Sequence, residues 1–287
     1  MVVRRFGRRR AVRAAAATGL AAVLLCTVAG CGSGAVAGVA AETAMPDDPL
    51  SVVRNAADVL AQAGSSKART AVEMANGGTR VTARGRGGFD YREQLGRLRI
   101  SLPHEASGAP MGRPVTELIA PGDLYMKNRG AGVPPDKWVW VDTTSLADGN
   151  LVTGGATDPL SAAELLRGAH HVAYEGTTEQ HGVPVRHYSG VANIRAAAEA
   201  ATGEAHEQLS AAAAGFTDDD VPFDAYFDDR GRLRKVAYRF SVADGGGTVA
   251  STTSLSDFGT PVTVSLPEQE DIYSGAIAPP GSGTAGH

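Results

Sequence analysis

The feature that most constrains this chain is a two-residue alternation of apolar and polar side chains, recurring in short runs from Arg69 to Leu266. Val81 and Ala83 alternate with Arg80, Thr82 and Arg84, after a Gly77-Gly78 turn that follows Arg69–Asn76. Leu98, Ile100 and Leu102 alternate with Arg97, Arg99 and Ser101; Val115 to Ala120 and Leu124 to Lys127 flank Pro121-Gly122-Asp123. Phe223, Ala225 and Phe227 lead through Asp228-Asp229-Arg230-Gly231 to Val236, Tyr238 and Phe240. Side chains on a strand point to opposite faces in turn, so each run has one face to bury. Connections this short join antiparallel neighbours, because a parallel crossover needs a dozen or more residues.

Further strands are expected at Trp138–Val141, His171–Thr178, Val185–Ser189, Thr248–Ser254 and Val262–Leu266. Trp138-Val139-Trp140-Val141 is apolar on both faces and therefore reads as a central or doubly covered strand. Helical spacing is scarcer. Asp48-Pro49 caps a helix of about four turns carrying Leu50, Val53, Ala57 and Leu60 and stopped by Gly64. Asp158-Pro159-Leu160 repeats that start and opens a short helix presenting Leu160, Leu165 and Leu166, and Asn193–Ala214 reads as a third, Ala-rich helix. Ten or eleven strands with three helices predict one α+β domain over residues 47–273, a large curled antiparallel sheet covered on one face by the helices.

The two ends read differently. Arg4, Arg5, Arg8, Arg9, Arg10 and Arg13 precede an apolar run from Ala14 to Ala29, which is the pattern of an export signal over residues 1–30. Val28-Ala29-Gly30-Cys31 resembles the lipobox of bacterial lipoproteins. That resemblance implies that the Cys31 thiol receives a diacylglyceryl group, that the peptide is then cut before it, and that the lipid anchors the protein to the outer face of the cytoplasmic membrane. Two acyl chains hold a protein stably where one does not. Residues 31–46 are then a Gly/Ala-rich linker and residues 274–287 a disordered tail. Without the signal, the 27 basic residues lose six arginines and leave 21 against 31 acidic, a net charge of −10 over 257 residues. This argues against nucleic-acid binding and against broad attraction to an anionic membrane.

Catalytic and metal signatures are missing. His170 and His171 point to opposite faces of a strand and read, with His181 and His187, as rim histidines rather than metal ligands. Asp218-Asp219-Asp220 and Asp228-Asp229 lack the alternating ligand spacing of a calcium loop and read as solvated loops, the second using Gly231 as its turn glycine. Phosphate-binding glycine patterns and a Gly-x-Ser-x-Gly elbow are absent. No metal or cofactor is expected. The arginines between Arg80 and Arg99 read as the wet face of a sheet, with a patch for anionic lipid head groups as the alternative.

Taken in order, the Cys31 motif, the helix at Pro49, "DLYMK…KWVWVD" (123–142), "DPLSAAELL" (158–166), "HGVPVRHYSG" (181–190), "PFDAYFDDRGRLRKV" (222–236) and "SDFGTPVTVSLP" (256–267) resemble the LppX/LprA/LprF/LprG lipoproteins of actinobacteria. These are similar in turn to the LolA and LolB lipid carriers. The resemblance implies an unclosed half-barrel around helices, acting without catalysis to bind or carry lipid or glycolipid in the cell envelope. The alternative is a sensory or scaffolding lipoprotein that binds another envelope protein. Acyl chains would lie between the concave sheet face and the helices, lined by Trp138, Trp140, Leu165, Leu166, Val236, Tyr238 and Phe240. The same residues could equally form an ordinary filled core.

Overall fold

The computed structural model describes residues 48–76, 79–101, 113–152, 158–241 and 247–275. The expected signal, Cys31, the expected linker and the part of the expected tail beyond residue 275 lie outside the described residues. Eleven strands form one antiparallel sheet: β1 (Ser65–Asn76), β2 (Thr79–Asp90), β3 (Leu95–Ser101), β4 (Val115–Ala120), β5 (Asp123–Lys127), β6 (Trp138–Asp142), β7 (Ala169–Gln180), β8 (Val183–Asn193), β9 (Asp220–Phe227), β10 (Leu233–Ser241) and β11 (Thr248–Ser256). Their order is β6-β5-β4-β3-β2-β1-β11-β10-β9-β8-β7, two meanders joined where β1 pairs with β11. Strands β6 and β7 end at opposite edges, so the sheet is not closed into a barrel.

The register explains which face is buried. One row crosses eight strands as Tyr188, Ala225, Val236, Thr253, Thr70, Gly85, Ile100 and Val115. Those with side chains beyond Gly85 are all buried, and this inner face packs on the helices. The opposite, outer face carries Lys67, Arg69, Arg84, Arg86, Arg97 and Arg99. Strand β2 can follow β3 closely only because residue 87 is glycine. A Cβ there would sit 1.8 Å from the Arg97 carbonyl oxygen.

Two expected helices are each broken in two. The helix capped by Asp48 runs as α1 (Pro49–Arg54) and α2 (Ala56–Ala63), separated at Asn55. The halves are held by different partners: Arg54 Nε donates to the Ala169 carbonyl at 3.0 Å, whereas Asp58 accepts from Arg167 at 2.8 Å. Asp158 opens α3 (Pro159–Glu164), which tightens into a 3₁₀ turn at Leu165–Gly168. The Ala-rich segment forms α4 (Ile194–Ala200) and α5 (Glu204–Gly215), parted at Gly203, whose φ of +58° no helix interior permits.

Three other expectations are corrected. Strand β6 is an edge strand rather than a central one. Its outward tryptophans find other contacts: Trp140 Nε1 donates to Asp123 Oδ1 at 2.6 Å, and Lys127 lies 5.2 Å above the Trp138 ring. Residues 262–266 form no strand. They belong to an extended segment that crosses the outer face, packing Val262 against Gly88, and then lies along the β6 edge, where Tyr273 N donates to the Trp138 carbonyl at 2.8 Å. This segment covers the exposed backbone of an edge that would otherwise invite pairing. Finally, Asp228 is buried rather than solvated. Its carboxylate accepts from Arg230 N, Arg232 N and Arg232 Nε at 2.8–3.1 Å and so builds the β9–β10 turn, with Gly231 at φ +72° as expected.

Candidate functional site

The seam between the inner sheet face and the helices brings together five of the seven residues expected there. Leu165, Leu166, Val236, Tyr238 and Phe240 are all buried in one apolar cluster. Tyr238 Oη donates to the Ala162 carbonyl at 2.7 Å and fixes α3 over β10, and its ring packs against Phe240 with centroids 5.7 Å apart. Trp138 and Trp140 are not part of this site. They share the parity opposite to buried Val139, so both face outward, and Trp140 is 49% exposed. In the closed arrangement the five inner residues form a filled core.

That core is not fully satisfied. Thr70 Oγ1 and Thr253 Oγ1, directly opposed across the β1–β11 pair, are buried without hydrogen-bond partners among the described residues. Glu117 is the sharper case. It sits on the inner face of β4 between Leu98 and Met126, is 1% exposed, and its Oε1 has no partner. Burial pushes its pKa up to about 8, against a weaker opposing pull from Arg129, so the group is a neutral carboxylic acid at pH 7. Its sequence signal was available: Val115, Glu117 and Ile119 share one parity in "VTELIA", which places a carboxyl in a line of core residues.

A cleft of about 290 Å³ opens into the seam where α3 and α5 meet the ends of β2 and β4. Phe89, Ile119 and Leu160 give it an apolar wall, and Gln94, Glu164 and Glu204 a polar rim. The Asp-Pro start of α3 explains the floor. Asp158 accepts from Leu160 N and Ser161 Oγ, both at 2.9 Å, yet burial raises its pKa against those bonds. Burial and the neighbouring carboxylates of Glu207, Asp142 and Asp123 raise Glu204 as well. Gln208 accepts from Ser161 Oγ at 3.2 Å and donates to Thr143 Oγ1 at 2.7 Å, tying α5 to α3 and to the segment after β6. Below the rim, Arg167 bridges Glu164 and Asp58, with Nε to Glu164 at 2.5 Å and Nη2 to Asp58 at 2.8 Å, which locks α2 to the end of α3. The cleft lining contains neither His nor Cys; it sets the carboxyl groups of Asp158, Glu164 and Glu204 beside an apolar wall.

The histidines lie elsewhere. His187 Nε2 is 2.9 Å from Asp224 Oδ1 and its ring stacks on Tyr226 at 4.4 Å on the outer face, while His170 stands 3.9 Å from Asp220. Among the described residues no group of three or more His, Cys, Asp and Glu could hold a metal ion, and no helix is long and apolar enough to cross a membrane.

No family model matches the chain, and no curated protein matches it. Among solved structures it is similar to the lipoprotein LppX of Mycobacterium tuberculosis, at 13% identity and a TM-score of 0.42, over 76% of this chain and 100% of that one. It is similar also to LprF of Mycobacterium bovis, at 14% identity and 0.40, over 76% and 96%. A LolA-superfamily protein of Nitrosomonas europaea follows at 12% and 0.32, over 73% and 94%.

Proposed function

We propose that the protein is a non-enzymatic lipoprotein of the cell envelope, anchored through Cys31, that binds a lipid-like molecule in the seam between its sheet and helices. The acyl portion would enter past Phe89, Ile119 and Leu160, and polar groups would meet the rim at Gln94 and Glu204. One observation carries this reading: the inner face keeps buried polar atoms without partners, Thr70 Oγ1, Thr253 Oγ1 and Glu117 Oε1, amid apolar side chains. Each such atom costs about 1–3 kcal/mol. A core selected for stability alone has no use for them, whereas a ligand with an ester or hydroxyl group would satisfy them. The cover over the unclosed sheet is made of short helices, of which α2 is tied to the end of α3 by the Arg167 bridge and α3 to β10 by the Tyr238 bond.

Organic extraction of the purified protein followed by mass spectrometry tests the proposal, together with titration by a fluorescent fatty-acyl probe. Co-purifying lipid is expected, and Leu160→Trp, which fills the cleft, should weaken probe binding at least tenfold (about 1.4 kcal/mol) while leaving the circular dichroism unchanged. Neither lipid nor probe binding in the wild type would sink the idea. A second reading, binding of another envelope protein, is favoured by one observation: Leu165, Leu166, Val236, Tyr238 and Phe240 are each at most 1% exposed, as in a closed core. That reading is the one left if the lipid experiment fails.

A further inference from the structure

The outer face of the sheet concentrates positive charge in a way the chain's net charge conceals. Five cations fall in a single register row across it: Lys235 on β10, Arg69 on β1, Arg86 on β2, Arg99 on β3 and Lys127 on β5. With strands about 4.8 Å apart, the row spans about 29 Å. Arg69 stands directly opposite Arg86, and Arg86 directly opposite Arg99. Arg84 and Arg97 extend the array into the adjoining rows. Like charges placed opposite each other on neighbouring strands destabilise a sheet. Among the described residues, none of Arg69, Arg84, Arg86, Arg97 and Arg99 forms an ion pair. The carboxylates near this face are taken elsewhere, Asp257 by Lys67 at 2.8 Å and Glu73 by Arg80 at 3.1 Å.

Between these arginines lie two open hollows. One, of about 450 Å³, is flanked by Arg69, Arg84 and Arg86, and the other, of about 370 Å³, lies between Arg86, Arg97 and Arg99 and the segment at Thr260–Thr263. Three guanidinium groups around each hollow present forked donors that match the oxygens of a phosphate. The acids of the C-terminal segment, Glu268, Glu270 and Asp271, sit away at the β6 edge, where Lys137 Nζ bonds the Glu270 carbonyl at 2.6 Å. The β1–β3 part of the face is thereby left cationic.

We infer that this outer face of β1–β3 is a docking surface for the phosphate head groups of an anionic phospholipid membrane. A two-dimensional lattice of cations, repeated across and along the strands, suits a layer of phosphates better than a single ligand, and among the described outward residues of β1–β3 there is no aromatic ring for stacking nucleic-acid bases. Screening limits the reach of exposed charge to about 8–10 Å, so the surface feels this local lattice rather than the −10 of the whole. The inference is independent of the lipid-binding seam, which lies on the other face of the sheet.

The test uses residues 31–287 carrying Cys31→Ser, so that neither an acyl anchor nor the arginine-rich, apolar residues 1–30 contribute. It is mixed with vesicles of phosphatidylcholine alone or of phosphatidylcholine with phosphatidylglycerol, and sedimented. Binding is expected only to the anionic vesicles and should fall as salt rises. The R69Q/R86Q/R99Q variant should lose about a hundredfold in binding, roughly fivefold per cation. Its melting temperature should equal or exceed that of the parent, since neutralisation relieves the opposed charges. R69K/R86K/R99K, which keeps the charge and guards against a folding artefact, should retain most of the binding. R92Q/R113Q/R230Q, which neutralises exposed arginines elsewhere, should bind as the parent does. Equal binding to both vesicles, an unchanged glutamine variant, or binding of heparin without binding of vesicles would overturn the inference. Failure here would leave acyl-probe binding in the seam intact, and Leu160→Trp should leave vesicle docking unchanged.

Discussion

Glu117 offers the most direct test of how the interior is built. Folding raises its carboxyl from 4.5 to about 8, so between those values the native state keeps a proton that the unfolded chain has released. The sign follows. The contribution is fully present below pH 4.5 and is lost as pH rises through the folded value, at about 1.4 kcal/mol per pH unit. By pH 7 the loss is on the order of 3 kcal/mol, and above pH 8 it levels off at on the order of 5 kcal/mol. Glu117→Gln keeps the volume and removes the titration. Any cost of the amide's own hydrogen bonds, about 1 kcal/mol, is constant with pH and does not enter the slope. Urea unfolding at intervals from pH 5 to pH 9 should therefore show the parent weakening with pH relative to the variant. The two should be nearly equal at pH 5 and separated by on the order of 3 kcal/mol at pH 7. Parallel curves for the two proteins would refute the claim that Glu117 is buried and protonated.

Other substitutions probe what holds the seam. Tyr238→Phe removes the bond to the Ala162 carbonyl, so urea unfolding should show a loss of about 0.5–1.5 kcal/mol. Arg167→Met breaks the bridge between Asp58 and Glu164; with Arg167 itself partly exposed, about 2 kcal/mol is expected rather than the full cost of a buried pair. Gly87→Ala forces a Cβ onto the Arg97 carbonyl, a backbone atom that cannot turn aside. It should strip hydrogen-exchange protection from β2 and β3 before the rest of the sheet.

The period-two pattern made the sheet legible because antiparallel strands with one wet face must alternate, and nearly every strand was found where it did. It could not tell an edge from a centre. Trp138-Val139-Trp140-Val141 looks doubly covered, yet its second cover is the chain's own C-terminal segment together with Asp123 and Lys127, contacts between residues distant in sequence. The same blindness made residues 262–266 resemble a strand: they alternate because they lie on a sheet face, without joining its ladder. Helix breaks at Asn55 and Gly203 are likewise set by which tertiary anchor each half meets. Within the site, alternation identified Val236, Tyr238 and Phe240 as one face. It passed over Glu117, whose parity with Val115 and Ile119 is legible only once that face is known to be buried. Asp228 was read as a solvated loop residue because aspartate usually is; its backbone donors, contributed by the turn it closes, make burial tolerable.

Net charge is silent on local charge, and that bears on what replacing Cys31 should do. A net charge of −10 without residues 1–30 gives no reason to touch an anionic membrane, but opposite charges separated by more than a Debye length act independently. If Cys31 carries two acyl chains, they contribute about 0.8 kcal/mol per buried CH₂, a term indifferent to salt. The arginine lattice contributes a term that salt screens away. The two are separable by washing. Membranes bearing the wild-type protein should hold it through high salt, whereas Cys31→Ser should be retained weakly at low salt and released as salt is raised. Combining Cys31→Ser with R69Q/R86Q/R99Q should abolish retention at any salt. If Cys31→Ser resists high salt, the anchor is not at Cys31; if it is soluble even at low salt, the lattice does not dock. Either result is read from the same fractionation, and neither depends on whether the seam binds lipid.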